Sequence, residues 1–162
     1  MGAYSIIAGR KRMERRTITF KKGKKAISHN ISSLRQTAEL ARHVVDELHG
    51  GDVIALRGNL GTGKTTFTQF LAHELRVRNR VTSPTFVLMK VYSVHNRSAH
   101  NRGIQNLCHI DAYRMGGTES LRAIGAEEYI GRQDTVTVIE WAERVKGILG
   151  SNTLWISFSH AV

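Results

Sequence analysis

Between positions 32 and 49 the apolar residues Leu34, Ala38, Ala41, Val45 and Leu48 recur at steps of three and four, the period of an amphipathic helix. Ser32 or Ser33 can cap its start, and Gly50 with Gly51 ends it. A short unbroken apolar run at 53–56 then predicts a strand buried on both sides. After a glycine-rich break, Phe67, Phe70, Leu71 and Leu75 return to helical spacing. Positions 85–94 are rich in β-formers and are expected to be extended. The polar stretch "HNRSAHNRGIQ" predicts a loop or hairpin tip.

Two more apolar runs follow, at 107–111 and 136–141, each carrying an acid at or near its end. Between them "TESLRAIGAEEYIG" predicts one or two short helices broken at Gly125, and strand-like alternation at 153–159 closes the chain. Strands that alternate with helical or polar crossovers predict an α/β domain. Its central sheet should be mostly parallel, with helices on both faces. Residues 85–94 and the last strand are the candidates for antiparallel edges.

The remaining composition narrows the class. With 162 residues and 41% hydrophobic content, the chain suits one domain with a single core. No apolar run approaches the roughly 20 residues a spanning helix needs, and no export signal opens the chain. The expectation is a cytoplasmic protein with no membrane contact. The one cysteine, Cys108, excludes an intramolecular disulfide and reads as a buried thiol. Of the formal +11 charge, residues 1–25 hold +8, from nine basic residues against Glu14. These 25 residues are therefore set apart as a basic extension, expected to be solvated and partly disordered, with residues 26–162 as the domain. A non-specific RNA contact, an organelle transit peptide, or a true start nearer Met13 are the other readings of the extension.

The break after the first strand, Gly58-Asn59-Leu60-Gly61-Thr62-Gly63-Lys64-Thr65, matches G-x-x-x-x-G-K-[ST] in full and lies between a predicted strand and a predicted helix. Glycines let successive N–H groups curl around an anion, and the following helix directs its positive end to the same point. Lys64 can reach the β- and γ-phosphates, the Thr65 hydroxyl can bind Mg²⁺, and Thr66 can add a phosphate contact. The loop is expected to hold a nucleotide polyphosphate. Asp111 and Glu140, at the ends of later strands, are the candidate acids for the metal or the attacking water. In "VTSPTF", Ser83 and Thr85 flank the only proline, either as a switch-like loop near the γ-phosphate or as a plain strand-entry turn. The sequence has no N-K-x-D and no L-S-G-G-Q, which argues against a GTPase and an ABC ATPase. The eight histidines form no convincing ligand set, and His95 and His100 read as surface residues.

Taken together, "GNLGTGKTTF", "VTSPTF", "HIDAYR", "ESLRAIGAEEYI" and "VIEWAERV" resemble, in order and spacing, the TsaE (YjeE-like) family of small bacterial P-loop ATPases over about residues 31–160. The resemblance implies a P-loop NTPase fold and a Mg²⁺-dependent ATPase. It further implies a role in forming N6-threonylcarbamoyladenosine at position 37 of tRNA, where ATP hydrolysis resets the TsaB–TsaD pair between turnovers. TsaD and TsaB would be the partners, and tRNA would be met through them, with the basic extension as a possible added RNA contact. In this picture residues Leu60 to Thr65 cradle the phosphates and Thr65 and Glu140 coordinate Mg²⁺. Asp111 is a second acid needed for hydrolysis, Trp141 borders the nucleotide or a partner, and Ser33 lies near the base. Two departures from the family stand out: the basic first 25 residues are longer than it needs, and it often continues past this chain's last strand. No arginine finger is evident, so completion of the site by a partner residue is expected.

The rival readings use the same loop differently. A small-molecule or nucleoside kinase would transfer phosphate to an acceptor, a binding switch would tolerate loss of hydrolysis, and an RNA-binding protein led by its basic extension would depend on residues 1–25.

Overall fold

The computed structural model describes residues 14–95 and 103–161. In chain order the elements are β1 (Arg16–Lys22), β2 (Lys25–Ile31), α1 (Leu34–Glu47), β3 (Val53–Arg57), α2 (Lys64–Glu74), β4 (Met89–Ser93), β5 (Asn106–Asp111), α3 (Thr118–Ala123), β6 (Thr135–Glu140) and β7 (Leu154–His160), with short 3₁₀ turns at Ala126–Glu128 and Ala142–Ile148. All seven strands form one sheet, ordered β2-β1-β7-β3-β6-β5-β4. The middle four, β7-β3-β6-β5, run parallel. The hairpin β1–β2 and the edge strand β4 add antiparallel.

Both faces are covered, and the side-chain period of two decides which residue goes where. Ile54 and Leu56 of β3 pack with Phe67, Phe70 and Leu71 of α2 and with Ala38 and Ala41 of α1. Ala55, between them, faces the other side and joins Cys108, Ile110 and Ile139 beneath Leu121 of α3 and Ala126 and Val145 of the 3₁₀ turns. Full burial pushes the Cys108 thiol up to about 12, so it stays protonated and inert. Helix α1 starts as its sequence suggests. Ser33 caps it by accepting from the Gln36 amide (3.3 Å), while Gln36 Oε1 accepts from the Ser32 amide (2.8 Å), a near-reciprocal capping box.

Three sequence expectations change. Residues 16–25 are not part of a separate extension: Arg16–Lys22 and Lys25–Ile31 pair from Arg16–Ile31 to Lys22–Lys25, and β1 docks on β7. The alternation that drives this is Ile18 and Phe20 inward against Thr17, Thr19 and Lys21 outward, which the surrounding charge obscures. Ile18 is fully buried, and Phe20 packs on Phe67, which in turn meets Phe158 edge-on at 5.7 Å. Burying side chains of this size contributes about 1.5–3 kcal/mol each. The rest of the expected extension, residues 1–13, lies outside the described residues, as does most of the "HNRSAHNRGIQ" loop (96–102). Secondly, β4 begins at Met89 rather than at 85, because residues 85–87 form a turn that ends with Leu88 at φ 64°. Thirdly, β7 is interior, between β1 and β3, since the hairpin occupies the edge expected for it. Among the described residues no helix is long and apolar enough to cross a membrane.

Candidate functional site

The parallel strands bring their C-terminal ends to one rim. Leu56 pairs with Glu140 across β3–β6, and Glu140 pairs with Asp111 across β6–β5, so the loop leaving β3 and both acids share that rim. Parity places His109, Asp111 and Glu140 on the face that carries α2. A cavity of about 430 Å³ opens there, lined by Arg16, residues of the glycine loop and α2, Ser83, Thr85, Asp111, Tyr113, Glu140 and Trp141.

The loop's backbone needs its glycines. Gly58 has φ 142°, and a Cβ there would run into the Phe158 carbonyl. Gly63, which precedes α2, has φ 104°, and a Cβ there would lie 2.6 Å from the Arg16 guanidinium. At Gly58 the backbone carbonyl excludes any side chain, and at Gly63 the left-handed conformation disfavours one, although the Arg16 fork beside it could shift. Thr62 is buried and donates to the Asn59 carbonyl at 2.7 Å, which tightens the curl from inside.

Lys64 is 4% exposed and donates to the carbonyls of Gly58 (2.6 Å) and Asn59 (2.9 Å). Its ammonium also lies 4.0 Å from the centre of the Trp141 ring. Burial holds this lysine below its ordinary range, opposed by the carboxylates of Glu140, Glu143 and Asp111. Trp141 occupies the left-handed region (φ 57°), unusual for a large side chain, and its ring packs at a tilt against Tyr113, 5.0 Å between centroids. Such strain costs of order 1–3 kcal/mol and is typical of functional positions.

Glu140 lies at the centre. Thr65 Oγ1 is 2.9 Å from both of its carboxylate oxygens, and His109 Nε2 is 2.9 Å from Oε1. His109 is fully buried, and against an ionised carboxylate its Nε2 carries the proton, which fixes the tautomer. The Thr65 hydroxyl and the Glu140 carboxylate are hard oxygen donors in direct contact on the cavity wall. This donor set suits Mg²⁺, which takes one or two protein oxygens and fills its other positions with phosphate and water. Among the described residues no group of three or more His, Cys, Asp or Glu is arranged to hold a metal ion.

Asp111 does a different job from Glu140. One oxygen accepts from Ser83 (2.9 Å) and Thr85 (2.8 Å), and the other accepts from the Tyr113 amide (2.9 Å). It ties the 83–85 loop to the rim, and its side-chain partners lie in that loop rather than at Thr65. Ser83, Thr85 and Asp111 all line the cavity.

Most residues singled out from the sequence meet here: Leu60, Gly61, Gly63, Lys64, Thr65, Thr66, Asp111, Glu140 and Trp141 line the cavity. Asn59 and Thr62 shape the loop from behind. Ser33 does not join them, since its hydroxyl caps α1 and it is not among the lining residues. Sequence reasoning missed Arg16, His109 and Tyr113. His109 was legible in principle, because H-x-D on a strand puts both side chains on one face. Arg16 carried no such signal amid a run of basic residues.

Residues 31–162 match the model of a family described as "Threonylcarbamoyl adenosine biosynthesis protein TsaE". A TsaE protein of Treponema pallidum is 38% identical over 125 residues, covering 77% of this chain and 85% of that protein. Its counterpart from Streptomyces coelicolor is 36% identical over 125 residues, covering 76% of this chain and 79% of that protein. The crystal structure of YdiB from Bacillus subtilis superposes with a TM-score of 0.57 at 27% identity, over 91% of this chain and 78% of that one.

Proposed function

The chain belongs to the TsaE family, and from that premise we propose that it is a Mg²⁺-dependent P-loop ATPase of tRNA threonylcarbamoyladenosine biosynthesis. Its hydrolysis of ATP supports turnover of a TsaB–TsaD pair that acts on position 37 of tRNA. The observation that carries the reading is the contact of the Thr65 hydroxyl with both oxygens of Glu140, in the same cavity as the glycine loop and Lys64.

The chemistry is water attacking the γ-phosphate in line with the departing ADP. Little covalent work falls to the protein, so positioning and charge neutralisation dominate. The amides of Gly61, Gly63 and Lys64 and the start of α2 hold the phosphate chain, and Lys64 exchanges its loop carbonyls for phosphate oxygens. Thr65 and Glu140 would hold Mg²⁺, which would supply further charge neutralisation to the phosphates. His109 fixes the orientation of Glu140. Asp111 fixes Ser83 and Thr85 by accepting from their hydroxyls, and the lone pairs of those hydroxyls would accept from the attacking water. Trp141 covers the lysine and keeps bulk water from it.

The test is the fate of the γ-phosphate. Incubated with γ-labelled ATP and Mg²⁺, the chain is expected to release label as inorganic phosphate, faster when TsaB and TsaD are added. Label found on an acceptor would point to a kinase, and no release under either condition would remove the ATPase reading.

A further inference from the structure

Among the described residues, Arg16 is the one lining cation that the glycine-loop motif does not supply. It opens β1, outside the residues matched by the family model. Its Nη1 donates to the Thr62 carbonyl at 3.0 Å, and the same group lies where a Gly63 side chain would be. Nε is buried with no hydrogen-bond partner. Among the described residues none of the ion pairs involves Arg16. A guanidinium partly withdrawn from water without a counter-ion carries a desolvation cost that only an anion offsets well.

The guanidinium is also well held. Ile18, two residues on, is fully buried, and Phe20 is locked against Phe67 of α2. The strand therefore has little freedom to withdraw the guanidinium from the loop. The charge balance calls for a second cation as well. A magnesium-bound triphosphate remains net negative, and Asp111 and Glu140 on the same rim add to that charge, while Lys64 is the motif's one cation there.

We infer that Arg16 is a phosphate-binding residue of the nucleotide site, delivered by the β1–β2 hairpin from within the same chain. The fork is braced on one side by the Thr62 carbonyl and offers its remaining N–H groups to the phosphate oxygens lying along Gly61–Lys64. Arg16 would thus supply a cation beyond Lys64 from within the chain, for nucleotide binding; completion of the site by a partner residue is a separate matter. This inference rests on the nucleotide reading of the cavity.

Titration of Mg-ATP into the full chain tests it. Arg16→Gln is expected to weaken binding about tenfold to a hundredfold, as for loss of one charged hydrogen-bonding partner. Arg16→Lys, which keeps the charge but loses the planar fork, should recover part of that loss. Raising the salt concentration should weaken the wild type more than Arg16→Gln, because the variant has one fewer charge to screen. A purely structural brace would not produce that difference in salt dependence. Equal affinities of the wild type and Arg16→Gln, or a loss with the wild-type salt dependence that Lys does not relieve, would overturn the inference. A wild-type chain that binds no Mg-ATP would instead overturn the nucleotide reading itself.

Discussion

Glu140→Gln is expected to lower the rate of ATP hydrolysis at least about a hundredfold while leaving the chain folded. Residues that only orient a metal ligand typically cost 10–100-fold when lost, so a direct ligand should not cost less than the top of that range. Glutamine has nearly the same shape. Placed where Oε1 lies, its carbonyl still accepts from both Thr65 and His109, and its amide then faces the Thr65 hydroxyl oxygen. The variant therefore removes a charge and not a cavity wall. Steady-state phosphate release over a range of Mg²⁺ concentrations checks it. The variant should need more Mg²⁺ and should still fall short at saturation, whereas wild-type turnover would show that Glu140 does not hold the metal.

The second large effect concerns Lys64. Lys64→Ala should weaken Mg-ATP binding about a hundredfold or more, since it removes a cation that makes more than one charge-assisted hydrogen bond, each worth about 1.5–3 kcal/mol. The same residue sets a pH dependence. Its pKa is lowered chiefly by burial, so in the free protein it loses its proton as pH rises through that lowered value, earlier than an ordinary lysine at about 10.4. Phosphate favours the charged form. Affinity for ATP should therefore be full below the lowered pKa and fall as pH rises above it, and binding within that window should take up a proton. Calorimetry in buffers of different ionisation enthalpy measures this uptake directly. Lys64→Ala should abolish it, and uptake that persists in the variant would assign the proton to another group.

How far the sequence foretold this depends on what kind of pattern each part carries. The glycine loop was legible because its chemistry is local: fixed residue types at fixed spacing, between a strand and a helix, with no need of the rest of the fold. Asp111 and Glu140 were legible as strand ends, but their division of labour was not. It arises from the register that sets Glu140 beside Leu56 and so beside the glycine loop, while Asp111, one strand further out, meets Ser83 and Thr85. The β1–β2 hairpin was hidden because its period-two alternation is short and lies among lysines and arginines, so charge outweighed pattern. With the hairpin went Arg16, whose relation to the loop exists only through the pairing of β1 with β7. The 85–94 segment was overextended for a similar reason. Its residue types favour a strand throughout, but the bonds from Asp111 draw Ser83 and Thr85 into the site and delay the strand until Met89.

The central claim is that the glycine loop wraps a triphosphate whose metal lies between Thr65 and Glu140. The most direct test is a crystal structure of the chain with a non-hydrolysable ATP analogue and Mn²⁺ in place of Mg²⁺. The account predicts an anomalous peak within bonding distance of the Thr65 hydroxyl and of Glu140 or a water that Glu140 holds, with the phosphate chain lying along residues 58–65. Nucleotide density away from that loop, or a metal peak remote from both side chains, would contradict it.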